Sequence, residues 1–122
     1  MFSRFTKNIE PFIEAELNLA RVANQKGDFS QSFRHLENAH VMGQESTYFH
    51  VKVHMLMFCW ALKRNDFREL FGQIFRVIGA ATKTAVGFIP SGNTGGSNVS
   101  PFKVMAIEPE LQECITRAKS GV

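Results

Sequence analysis

Two stretches of the chain, GDFSQSFRHLENA at 27–39 and NDFRELFGQIFRV at 65–77, superpose residue for residue on a shared Asp-Phe pair. Each opens on Gly27 or Asn65, the residue types that best tolerate the left-handed backbone at a helix end. Apolar residues then recur at the three- and four-residue spacing of a helix. A helix stop followed at once by a new helix, met twice, predicts two antiparallel helical hairpins. No alternating strand pattern is sustained anywhere, so the expected class is all-α: a four-helix domain, a Gly/Asn-rich loop and a short C-terminal helix. At 122 residues the chain is a single domain, 1–122, with a helical core over about 11–87, a loop over 88–107 and a final helix over about 109–119.

Helix 1 is expected from Pro11 to Lys26, with Pro in its first turn and Gly27 as its stop. Helix 2 runs from Ser30 to Gly43 behind an apolar arc of Phe29, Phe33, Leu36, Ala39 and Gly43. Ser46 is a good cap for helix 3, which continues to Arg64. Helix 4, from about Asp66 to Val86, is expected to bury Phe67, Leu70, Phe71, Ile74, Ile78 and Ala81 and to turn Glu69, Arg76 and Lys83 to solvent. In the tail, Pro109 suits a first turn, and Leu111, Ile115 and Ala118 can dock the last helix on the bundle. Twelve Phe against one Tyr and one Trp imply a core filled by rings without hydroxyls to satisfy.

Composition excludes several functions. The net charge of +3 comes from scattered Lys and Arg with no run longer than Lys63-Arg64, so nucleic-acid binding is disfavoured. The longest apolar run, Met55 to Leu62, is too short for a membrane span. Cys59 and Cys114 form no CxxC pair; Cys59 is expected buried and inert, and Cys114 on a surface helix. Neither pairing is indicated, which points to a reducing, cytoplasmic compartment. No nucleophile stands beside a base, so the reading leans away from an enzyme. Glu10, Glu14 and Glu16 read as the solvated face of helix 1.

All four histidines lie between His35 and His54. His50 and His54 are four apart, so on a helix they share a face. That face, with Met57 and Ala61, is opposite Lys52 and Lys63 and points into the bundle. His40 lies in the middle of the buried arc of helix 2, and His35 at its margin. Three inward imidazoles on adjacent helices, His40, His50 and His54, can form a transition-metal site for zinc or copper. Glu37 or Glu45 could add a carboxylate, and Met42 or Met57 would favour Cu(I). The HExxH glutamate of metalloproteases is missing. The other reading is a polar core network, with the rings bonded to one another, to Gln44 or Gln73, or to backbone carbonyls.

The loop motif Gly92, Asn93, Thr94, Gly95, Gly96 and Asn98 reads as a turn whose Asn and Thr side chains bond local backbone. Its glycines also suit an anion-binding nest. It follows a helix, however, whereas phosphate loops precede one, and it lacks a Walker lysine. Ile89 to Val99 is expected to fold back across the bundle, anchored by Phe88, Ile89, Val99 and Phe102, with order that depends on Gly92, Gly95 and Gly96.

Two resemblances complete the reading. Gly27, Ser32, Leu36 and Ala39, with Leu19, Ala20 and Ala23 of helix 1, resemble a tetratricopeptide repeat; the second copy departs at Leu70 and Val77. HLENAHVMGQ, HVxxH, RNDFRELFGQIFR and above all PSGNTGGSNVS resemble domain-of-unknown-function family 3703. That resemblance implies a small, mostly helical bacterial protein and no established activity. The tetratricopeptide-like hairpins imply an interaction or scaffold module with a protein partner or self-association. Its contact surface would include Asn18 and Gln25, with Phe2, Phe5 and Phe12 as a self-association patch. A His-based metal-binding protein is the alternative.

Overall fold

A computed structural model describes residues 3–81, 93–97 and 104–121. It is helical throughout its regular elements: α1 Arg4–Gln25, α2 Phe29–Gly43, α3 Thr47–Arg64, α4 Phe67–Ala81 and α5 Pro109–Ser120. α1 packs on α2 and α3 on α4, giving two hairpins joined where α2 meets α3, and α5 lies across α1 and α2. Of the loop positions singled out above, Gly92 and Asn98 fall outside the described residues, as do Phe2, Lys83, Phe88, Ile89, Val99 and Phe102.

The duplicated unit performs the same task twice. Gly27 (φ +80) and Asn65 (φ 56) both take the left-handed conformation that ends a helix. Asp28 then caps α2 by accepting from the Gln31 amide (3.2 Å), and Asp66 accepts from the Glu69 amide (3.0 Å). Ser46 caps α3, and its hydroxyl also meets Thr6 Oγ1 of α1 at 2.7 Å, tying the starts of α1 and α3 together. At the junction of the hairpins, Trp60 Nε1 donates to the Phe29 carbonyl (3.0 Å), and its ring sits 4.6 Å from that of Phe33.

α1 begins at Arg4, not Pro11, and carries Pro11 inside it. Ser3 supplies the true cap by accepting from the Thr6 amide. Ile9 and Ile13, both fully buried, flank the proline. Burying such side chains is worth roughly 1.5–3 kcal/mol each, enough to offset the bond that an internal proline forfeits. α5 docks by Leu111, Ile115 and Ala118 as expected.

α4 is turned differently from the expectation. Phe67, Phe71, Ile74 and Ile78 are exposed, and Phe75 is 82% exposed, whereas Glu69 and Gln73 are buried. Periodicity finds two faces on this helix but cannot tell that the polar one has hydrogen-bond partners waiting on α3 and on 93–97. The rings therefore do not all fill the core: Phe49 is fully buried, and Phe5, Phe12 and Phe33 pack half-buried against its edge. Of the three residues named for a self-association patch, Phe5 and Phe12 therefore offer only part of their rings to solvent. Cys59 is exposed rather than buried, because it is two residues beyond Met57 and so faces away from the core. No described helix is long and apolar enough to cross a membrane.

Candidate metal centre

α2 delivers His40 and α3 delivers His50 and His54 into one triangle. The ring centroids stand 4.6 Å (His40–His54), 4.9 Å (His40–His50) and 5.0 Å (His50–His54) apart. One nitrogen from each ring can be chosen so that all lie within 4.8 Å of one another. His40 and His54 are buried and His50 is half-buried. Glu37 and Glu45 do not join this group, and Glu45 pairs instead with Lys119 of α5 at 2.8 Å. Met42 and Met57 belong to the apolar core. His35, at the arc's margin, bonds Glu16 of α1 at 2.7 Å and stands outside the cluster.

Hydrogen bonding fixes which ring nitrogens carry protons. His40 Nδ1 lies 2.7 Å from the Asn93 carbonyl, which can only accept, so Nδ1 is the N–H. Gln73 Nε2 donates to the Gly95 carbonyl (2.9 Å) and to a Glu69 carboxylate oxygen (2.5 Å), both acceptors only. The amide orientation is therefore set, and Gln73 Oε1 accepts from His54 Nδ1–H at 2.5 Å. Neutral His40 and His54 then each keep a bare Nε2, and these two nitrogens face each other at 3.0 Å. Two lone pairs directed at one another in a buried site repel unless a cation stands between them.

The environment keeps both rings neutral. Burial pushes His40 well below the usual histidine range, helped by His54 and His50 and opposed by the bond to Asn93. Burial likewise pushes His54 down to about 4, against the bond it donates to Gln73. Neutral imidazole is the form that ligates a metal. The unfolded chain takes up these protons near pH 6.5. Between that pH and about 4 it therefore binds more protons than the folded chain, and stability must fall with pH. In metal-free buffer, urea unfolding should show full stability above about pH 6.5 and a loss of up to about 1.4 kcal/mol per pH unit for each ring below it. A stability unchanged between pH 7.5 and 5 would mean that the rings are not buried in neutral form.

The segment 93–97 covers the triangle. Asn93 accepts from the Gly95 amide through its side chain (2.9 Å), closing a tight turn. Gly95 (φ +85) takes the strained backbone anticipated for the glycines, and Gly96 does not. A Cβ on Gly95 would stand 2.5 Å from His40 Cδ2. Thr94 is half-buried. Ser97 donates to Glu69 from its amide (3.1 Å) and its hydroxyl (2.9 Å). Sequence reading found the three histidines and named Gln73 as a partner, but not Glu69, Ser97 or the Asn93 carbonyl. A backbone carbonyl leaves no mark on a sequence, and Glu69 resembles any solvated helix residue.

The segments that build this site are those that carried the resemblance, and a family profile described as Protein of unknown function (DUF3703) matches residues 7–115. The chain belongs to that family. The match takes in the three histidines, the α4 network and residues 93–97. No curated protein and no solved structure gives a match.

Proposed function

We propose that this protein binds one transition-metal ion, zinc or copper, through His40, His50 and His54. The opposed Nε2 atoms of His40 and His54 carry the reading. In tetrahedral zinc sites with Zn–N bonds of about 2.0–2.1 Å, neighbouring ligand nitrogens stand roughly 3.3 Å apart, so a small opening of the 3.0 Å pair admits an ion. Both rings already have the outer partners that metal-bound histidines require, a backbone carbonyl for His40 and the Gln73 amide for His54. Half-buried His50 offers the third nitrogen and the side from which an ion would enter. Burial of two ligands favours holding or sensing an ion over turning over a substrate.

Elemental analysis of untagged protein tests this directly, with about one zinc or copper per chain expected after dialysis. Protein that emerges metal-free and shows no heat on titration with Zn²⁺, or with Cu⁺ under reducing conditions, would return the histidines to a plain core network.

A second reading, the interaction module, draws support from a groove of about 510 Å³ between α1 and α3. Leu17, Asn18, Arg21, Lys52, Trp60 and Lys63 line it. Gln25 is exposed and does not line it. Glu14 also lines the groove and pairs with Lys52 at 3.1 Å, so Arg21 and Lys63 leave the lining net positive. With its apolar stems this suits an acidic, amphipathic peptide, and the single Trp of the chain reports on the site. Such a peptide should shift Trp60 emission, and Lys52→Glu with Lys63→Glu should weaken binding at least about tenfold. Unchanged emission across a panel of acidic peptides would count against a groove ligand of this kind.

A further inference from the structure

The segment Asn-Thr-Gly-Gly-Ser at 93–97 has no apolar side chain, yet Asn93, Gly95 and Gly96 are buried. Hydrogen bonds to the bundle hold it, and three of them go to groups that set the histidine site. The Asn93 carbonyl takes the Nδ1 proton of His40 (2.7 Å), the Gly95 carbonyl takes a proton of Gln73 (2.9 Å), and Ser97 donates to Glu69 (2.9 Å). Gln73 is the joint: its oxygen fixes His54 while its nitrogen fixes Gly95 and Glu69. Without an ion, the lone pairs of His40 and His54 push the two rings apart. Any such movement strains the bonds of His40 to Asn93 and of His54 to Gln73. With an ion, repulsion is replaced by two coordinate bonds that hold both rings where residues 93–97 need them.

We propose that residues 93–97 form a metal-dependent clasp, in which ion occupancy at the histidines and closure of this segment onto the bundle are one linked equilibrium, with Gln73 as the positioning residue that joins them. This rests on the reading of His40, His50 and His54 as a metal site and assigns that site an output: the surface around 93–97 reports whether an ion is bound. Linkage is reciprocal, so whatever factor the ion contributes to closure, closure contributes to ion affinity.

Amide exchange and imidazole ¹⁵N spectra of the full labelled chain, without metal and with one equivalent of Zn²⁺, test the clasp. The Gly95 and Ser97 amides should exchange about tenfold more slowly with zinc, within the usual range of such couplings. His40 and His54 should carry their protons on Nδ1 in both states. Ser97→Ala, which removes one tie of the segment and touches no histidine, should both speed Gly95 exchange and weaken zinc binding. Gln73→Met, similar in volume but only a weak acceptor for Nδ1–H, should move the His54 proton toward Nε2 and weaken zinc about 10- to 100-fold. Zinc that binds the wild type without slowing either amide overturns the clasp and leaves the metal site standing. A Gln73→Met protein with unaltered His54 signals and affinity overturns the positioning role. A wild type that binds no zinc at all removes the metal reading and the clasp together.

Discussion

Gly95→Val is expected to lower stability by roughly 2–5 kcal/mol, the sum of a left-handed backbone penalty and the overpacking of a filled site. Both terms are visible: φ is +85, and the first carbon of any side chain would lie within 2.5–2.8 Å of three atoms of the His40 ring. His40 cannot yield cheaply, since its Nδ1 bond to Asn93 and the facing His54 define its place. The substitution should therefore either expel residues 93–97 or displace His40, and in both cases abolish metal binding. Urea unfolding measures the stability loss, and limited proteolysis distinguishes expulsion from a local shift. A variant that keeps the wild-type melting temperature and an equally protease-sensitive 93–97 segment would show that this segment is a passive linker.

Excess zinc, with the free ion about a thousandfold above its dissociation constant, is expected to stabilise the wild type by about 4 kcal/mol. For a domain of this size that corresponds to a rise in melting temperature on the order of 10 °C or more. His54→Leu should abolish this rise while leaving a protein that still unfolds cooperatively, because it also removes one of two opposed lone pairs. His40→Ala should abolish it too, and in addition loosen 93–97. A pure core network makes the contrary forecast: zinc changes nothing, and each histidine substitution costs stability by leaving Gln73 or the Asn93 carbonyl without its donor. Thermal melts of the three proteins with zinc and with a chelator separate the two.

The two histidine readings prove to be less opposed than their sequence suggests. Two of the bonds expected of a core network are present: His54 to Gln73 and His40 to the Asn93 carbonyl. Yet satisfying both Nδ1 atoms is what leaves both Nε2 atoms bare and facing. Such a network supplies the outer partners that the proposed metal site would need, so its presence does not argue against that proposal.

Local chemistry alone decided the hairpins, because the signals for stopping and restarting a helix are carried by single residues. Gly27 and Asn65 end helices, and Asp28 and Asp66 begin them, whatever surrounds them. The four- and three-residue apolar spacing of Leu111, Ile115 and Ala118 likewise declared how α5 docks. The four-residue spacing of His50 and His54 placed both on one face before any neighbour was known. Only the tertiary structure decided which face of α4 is inner. The apolar face of Phe67, Phe71 and Phe75 outweighs Glu69 and Gln73 on any scale of single residues, and it lost because the buried polar pair has specific partners in His54, Gly95 and Ser97. A hydrogen bond between residues distant in the chain depends on where the backbone travels, and a buried polar group is tolerated only where that path brings its complement.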